Sequence, residues 1–264
     1  MKDYIRIPKV QLTICLLLIY LTNLFFNFSL QTLLLIIIVP IVGMVSDLIF
    51  TKLKKKKFFI PSAAMTTSMI VVLLTGPQTP IYFPIFAVIL AMASKVFIRP
   101  GRHIFNPASF GLIISSFLLA IPVAWWGPGN IVALSGKLPP LFLILLLPLL
   151  ISGLRMKRYY TILVTFVSFI LSSLLLFTVT KTPISQELIV NLLTDPTLIF
   201  FALVMAPEPM TTPYSVKNQI LFGLFVGMFA VFSSRFIYEI SFLKTLDPLV
   251  LSLLIGNVIF FRRK

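Results

Sequence analysis

The segment "RPGRHIFNPASFGL" (99–112) places two arginines, the chain's single histidine and an Asn-Pro pair at the start of an apolar run. His103 and Asn106 are three residues apart, which predicts that they share one face of a first helical turn, with Pro107 beginning the helix. Because a side-chain amide offers both a donor and an acceptor, the pair could bind a polar, planar ligand. The Asn-Pro pair is equally typical of an ordinary helix start, capped by the Asn side chain.

Two other segments combine proline with small and hydroxyl residues, "FIPSAAMTTSM" (59–69) and "MAPEPMTTP" (205–213). Proline in a spanning helix frees a carbonyl, which is tolerated only where protein or a water-lined cavity satisfies it. With 105–111, these segments are therefore candidates for a central site between broken helices. Their hydroxyl residues are candidate binding residues: Thr66, Thr67, Thr211 and Thr212. Taken singly, Thr66 and Thr67 are better explained by close helix packing.

Few acidic residues occur in this chain. Glu208 lies between two prolines, and a carboxylate close to hydrocarbon indicates a proton or ion pathway or a basic partner, although an exposed loop acid is the alternative. Asp47 is expected to pair with the lysines at 52–57. Asp195 and Asp247 each precede a proline, which predicts helix N-caps.

The residues for an independent active site are missing from the sequence. A single histidine and the single Cys15 allow neither a Ser-His-Asp set nor a cluster of metal ligands, and no glycine-rich phosphate loop occurs. Any enzymatic role is therefore expected to be that of a non-autonomous subunit.

The composition predicts an integral membrane protein. Hydrophobic residues make up 59% of the 264 residues and charged residues 11%. The net charge of +15 does not indicate nucleic-acid binding, because the basic residues cluster in short links between apolar runs. About ten runs are long enough to be candidate spans: 10–28, 29–50, 58–76, 81–98, 105–122, 139–154, 159–180, 194–207, 218–238 and 247–261. The expected fold is an all-α polytopic bundle forming one domain over residues 1–264.

The lysines and arginines predict the orientation of these spans. If ten helices alternate, the links "TKLKKKK" (51–57), "RPGR" (99–102) and "RMKR" (155–158) and both termini lie on one side, which is then cytoplasmic. The outer side receives 125–137, where Trp125 and Trp126 would lie in the headgroup layer, and 180–196. We therefore expect a multi-pass protein of the cell membrane with both termini inside.

A weak internal repeat supports two halves of five helices, at about 1–138 and 139–264. "GPQTPIYFP" (76–84) follows the third run and "APEPMTTPYS" (206–215) follows the eighth. An odd number of helices in each half makes the halves insert in opposite directions, as in many transport proteins.

Four segments together resemble the RnfD/NqrB family, the membrane subunits of Rnf complexes and of sodium-pumping NADH:quinone reductases. They are "SAAMTTSMIVVLL", "KVFIRPGRHIFNPASFGLII", "MAPEPMTTPYSVKNQILFGLFVG" and "DPLVLSLLIGNVI", from about residue 58 onward. The resemblance implies two inverted five-helix halves with a urea-transporter-like layout and other membrane subunits of a redox complex as partners. It also implies flavin, with His103 and Asn106 matching a non-covalent riboflavin site.

One departure from the family bears on its covalent flavin. "ALSGKLPPL" has Ser135-Gly136 but Leu138 where the family's FMN-bearing threonine stands, and leucine has no hydroxyl to esterify. We therefore expect no covalent FMN, with riboflavin or FMN bound non-covalently at most. Two hypotheses follow: an electron-transfer subunit with non-covalent flavin, and a transporter or channel-like protein for a small solute or cation that has lost the redox centre.

Overall fold

The chain folds into a bundle of α-helices. The computed structural model describes residues 8–54, 62–98, 103–135, 149–151 and 153–261, and within these ranges it contains no strand. The helices are α1 (Pro8–Phe26), α2 (Leu30–Leu53), α3 (Ser62–Leu73), α4 (Tyr82–Phe97), α5 (Pro107–Leu119), α6 (Trp126–Ser135), α7 (Tyr159–Val179), α8 (Gln186–Leu193), α9 (Pro196–Phe200), α10 (Val216–Glu239) and α11 (Pro248–Ile259). A π-helix, Phe201–Met205, continues α9, and a 3-10 turn, Ser241–Leu243, follows α10.

Several helices are suited to a membrane by length and composition. Five stretches are long and apolar enough to cross one: α1, α2, α7, Gln186–Met205 and α10. Four apolar helices, α3, α4, α5 and α11, are shorter. Large apolar side chains such as Phe25 (81% exposed) and Val179 (71% exposed) cover the outside of the bundle. The prediction of an all-α fold with several apolar spans is confirmed for the described residues.

The helices follow the predicted runs with three differences. The sixth run, 139–154, lies largely outside the described residues, although 149–151 and 153–155 are helical. The expected outer loops 125–137 and 180–196 contain helices: α6 lies in the first, and α8, which begins the stretch Gln186–Met205, lies in the second. Pro40 lies inside α2, a position that the sequence argument did not single out.

The two predicted halves show the same pattern of helix packing. In the first, α2 packs against α4 and α4 against α5; in the second, α7 packs against α10 and α10 against α11. Glycines allow these approaches: a Cβ on Gly111 of α5 would collide with the backbone carbonyl of Ala87 in α4, and one on Gly227 of α10 with Ser168 in α7. Helices α5 and α11 also begin alike, with a capping side chain followed by proline.

Opposite ends of the bundle differ in their polar contacts. At the end where α2 and α4 finish and α5 begins, called here the basic end, Lys52, Lys95, His103 and Lys157 occur. At the other end, the indole Nε1 of Trp125 donates to Oδ2 of Asp247 at 2.6 Å. Trp125 is only 8% exposed, and its ring packs against the protein, edge-on to Phe200.

Candidate functional site

Three segments singled out by their prolines meet around one cavity at the basic end. Its volume is about 40 Å³, and it lies between α1, α3, α4, the start of α5 and the end of the π-helix. The lining includes Lys9, Thr66, Thr67, Lys95, His103, Asn106, Pro107 and Glu208. A cavity of this size, with several polar side chains in a largely apolar lining, has room for a few water molecules. The structure therefore brings together six of the eight site residues expected from the sequence.

Asn106 caps α5 and also joins it to the π-helix. Its Oδ1 accepts from the backbone N–H of Ser109 at 3.1 Å, and Pro107 occupies the first helical position. Its Nδ2 donates to the carbonyl oxygen of Met205 at 3.2 Å, the last residue of the π-helix. Asn106 is 2% exposed. The helix-start interpretation is confirmed, and the same amide links two helix ends that are 99 residues apart in sequence.

His103 reaches the cavity from outside the helix. The expectation that His103 and Asn106 share a first helical turn is wrong, because α5 begins only at Pro107 and both residues precede it. They nevertheless line the same cavity, and His103 is 7% exposed. The imidazole is a titratable group at the cavity's edge.

The threonines have structural roles in this arrangement. Thr66 donates to the carbonyl of Ser62, four residues back, and its Oγ1 lies 2.7 Å from that of Thr13 in α1. Thr67 donates in the same way to Ala63. These bonds satisfy the hydroxyls within and between packed helices, as the packing interpretation predicts.

Thr211 and Thr212 do not line the cavity. The backbone N–H groups of both donate to the carbonyl of Glu208, and Oγ1 of Thr212 donates to the carbonyl of Ala206 at 2.7 Å. They are fully buried and close the turn that ends the broken span. This turn holds Glu208, which is half-buried and does line the cavity.

An ion pair beside the cavity was not predicted. Nζ of Lys95 in α4 lies 2.7 Å from Oδ2 of Asp47 in α2, with side-chain exposures of 11% and 0%. The expectation that Asp47 pairs with the lysines at 52–57 is wrong, because Asp47 points into the α2–α4 interface rather than along its own helix. Asp47 and Lys95 are 48 residues apart, and only the helix packing shows that they meet.

The cavity therefore combines charged side chains with neutral polar groups. Lys9, Lys95 and Glu208 line it, and Asp47 compensates the charge of Lys95 from behind. Charged groups in a helical membrane protein are costly when they lose water, and they face the protein interior or water-filled cavities. Their convergence on one small polar cavity is the arrangement expected of a path for protons or small ions. No group of three or more metal-ligating side chains occurs among the described residues.

The cavity in this form does not accommodate a flavin ring. Sites for ligands of drug size typically measure about 300–1,000 Å³, whereas this cavity measures about 40 Å³. Both polar atoms of the Asn106 amide already bond to the protein. The expectation that covalent FMN is absent rests on Gly136 and Leu138, which lie outside the described residues. Pro61, Arg99 and Arg102 also lie outside them.

These features define a class: a multi-pass helical membrane protein in which broken helices meet at a charged cavity. The chain belongs to the NQR2, RnfD, RnfE family, whose model matches residues 2–138, just over half of the chain. The matched region begins at residue 2, whereas the resemblance was seen from about residue 58 onward, and the matched region ends at 138. No curated protein matches the chain. The chain is accordingly a membrane subunit of the kind found in electron-transport complexes that translocate ions.

Proposed function

We propose that this chain is a non-autonomous, ion-translocating subunit of a membrane electron-transport complex, and that its cavity at the basic end forms part of the ion or proton pathway. The observation that carries the proposal is the placement of Glu208 on a small polar cavity beside the buried Lys95–Asp47 pair. Family membership supports the setting, a multi-subunit redox complex. The residues of the site supply titratable and polar groups at the point where helices are interrupted.

The proposed architecture has ten spans in two inverted halves, 1–138 and 139–264, within a single domain and with a urea-transporter-like layout. The repeated packing of α2, α4 and α5 and of α7, α10 and α11 supports it. Matching starts of α5 and α11 on opposite ends of the bundle add a second correspondence. The basic end is then cytoplasmic, with both termini there, in the cell membrane.

Substitution of Glu208 tests the pathway. In the assembled complex reconstituted into vesicles, Glu208→Gln should lower the number of ions moved per electron at least tenfold, because it removes the titratable carboxylate from the cavity. Glu239→Gln is the matched control, since Glu239 is exposed at the opposite end of α10. An unchanged ratio in Glu208→Gln would show that ions take another route.

Non-covalent riboflavin or FMN remains the second part of the proposal, supported by the family and by the match of His103 and Asn106 to its flavin site. Because the cavity is too small as it stands, binding at this position requires the helix ends to separate. When bound, a flavin supplies one- and two-electron transfer. The visible spectrum of the purified protein from riboflavin-replete cells tests this part, and absence of flavin absorbance would remove it.

Variants of Asn106 locate any flavin that the spectrum reveals. Asn106→Leu should release it and also weaken the start of α5, because it removes the cap and the bond to Met205. Asn106→Asp keeps a capping oxygen but replaces the Nδ2 donor with a second oxygen, so it separates loss of the bond to Met205 from loss of the cap. Flavin occupancy that stays the same in both variants would place the flavin elsewhere.

The alternative function is transport of a small solute or cation without a redox centre. The size of the cavity favours it, since about 40 Å³ suits water and small ions better than a flavin. Leu138 in place of the family's threonine also favours transport without a redox centre. Ion movement by the chain in vesicles without its redox partners would support this alternative over the first proposal.

A further inference from the structure

An apolar groove with a lining of its own lies on the second half of the bundle. It measures about 460 Å³ and runs between the helical residues before the 155–158 turn, the start of α7 and the α9 to π-helix span. Its walls include Leu150, Leu154, Leu163, Phe166 and Ile199, and almost no polar surface faces it. A groove of this composition suits hydrocarbon chains and offers nothing to a polar solute.

Basic residues lie next in sequence to two of the residues that line this groove. The turn 155–158, "RMKR", connects Leu154 to Tyr159, and both of these residues line the groove. Because this segment joins two of the groove's walls, Arg155 and Lys157 each lie within two residues of the groove's lining. Arg155 and Lys157 are both exposed. Arg155 bonds to Gln11 of α1 at 2.7 Å, which holds it at the surface without neutralising its charge.

The neighbouring Arg158 is already engaged within the protein. It is 4% exposed, and its guanidinium lies 4.4 Å from the ring centroid of Tyr214. That leaves Arg155 and Lys157 as the cations of this turn that face outward. Tyr159 and Tyr160 line the groove next to the turn, and tyrosine is enriched where hydrocarbon meets the headgroup layer.

We propose that this groove and turn form a binding site for one anionic phospholipid. Its acyl chains lie in the groove between α7 and the π-helix span, and its negatively charged headgroup lies against Arg155 and Lys157. Basic pockets beside transmembrane helices are known to hold anionic headgroups, and a groove beneath adds chain contacts that surface charges alone lack. No residue lines both the groove and the cavity, although Met156 of the same turn lines the cavity, and the proposal does not depend on the proposed function.

Lipid titration of the purified full chain, with any subunits that remain bound, tests the headgroup. Phosphatidylglycerol should bind more tightly than phosphatidylcholine. Each basic residue near an anionic lipid contributes about 1 kcal/mol, about fivefold, so Arg155→Gln combined with Lys157→Gln should weaken phosphatidylglycerol binding roughly thirtyfold. The control pair Lys181→Gln and Lys244→Gln removes exposed charges outside this turn and should change binding by less than about twofold.

A second pair of variants tests the groove. Leu163→Gln places an amide in the groove and should weaken the binding of both lipids, whereas Leu171→Gln should not. The two leucines are 60% and 61% exposed on the same helix, so neither change disturbs the core. Equal binding of the two lipids, binding unaffected by the double charge variant, or cross-linking of position 163 to a partner subunit in place of lipid would each overturn the proposal.

Discussion

At the scale of single residues, the Lys95–Asp47 pair decides how charge is held beside the cavity. Both side chains are almost fully buried, and the 2.7 Å separation gives a charge-assisted hydrogen bond between α2 and α4. Removing charges from water costs several kcal/mol per ion, and their mutual attraction offsets this only when the geometry is good. The pair is therefore poor evidence of net stability, but losing one partner is expensive.

A double-mutant cycle measures this coupling. Asp47→Leu and Lys95→Met should each destabilise the protein by about 3–5 kcal/mol, because each leaves the other charge buried without its ion-pair partner. The double variant should recover most of the loss, since no charge then remains at the interface. Thermal unfolding of the purified protein in detergent provides the measurement. Losses that simply add would show that the two side chains are not coupled.

At the scale of helices, the short length of α5 explains why non-helical backbone lies beside the cavity. The 13 residues of α5 extend about 20 Å, whereas the hydrocarbon layer is about 30 Å thick. Residues that flank α5, including 103–106, must therefore supply part of the crossing, and the polar groups of such non-helical backbone need internal partners. The bonds from Asn106 to Met205 and from Thr212 to Ala206 are such partners.

The close approach of α4 and α5 gives a prediction for this scale. Gly111→Ala should destabilise the protein by about 1–3 kcal/mol, because its Cβ would meet the backbone carbonyl of Ala87, which cannot move aside without shifting a helix. Gly129→Ala in α6 is the control, since a Cβ there meets nothing within 4 Å and alanine favours the helix. Melting temperatures compare the two, and an equal effect of both substitutions would count against tight α4–α5 packing.

At the scale of the whole molecule, orientation in the membrane is a prediction from charge. After replacement of Cys15 by alanine, a cysteine at Thr182, between α7 and α8, should react with an impermeant maleimide added to intact cells. A cysteine at Lys157, which lies at the basic end, should react only after the membrane is opened. The reverse pattern of labelling would invert the topology, and labelling of both positions in intact cells would contradict the alternation of spans.

Local patterns in the sequence determined which segments are helical and how several of them begin. Runs of apolar residues predicted the helices of the bundle, since hydrophobic length depends only on neighbouring residues. The caps at Asp195 and Asp247 were also predictable, and both are observed, with carboxylate oxygens accepting from the N–H groups of Thr197 and Val250 at 2.8 Å. Such caps satisfy donors within one turn of the same chain segment.

Tertiary structure alone decided which of these segments meet. Three contacts join residues that are far apart in sequence. They are the ion pair between Lys95 and Asp47, the bond from Asn106 to Met205, and the bond from Trp125 to Asp247. No local pattern encodes them, because their energies depend on which helix faces are packed together and on which polar groups lose water in the process. The sequence supplied the side chains of the cavity, and helix packing determined that six of them share it while Thr211 and Thr212 do not.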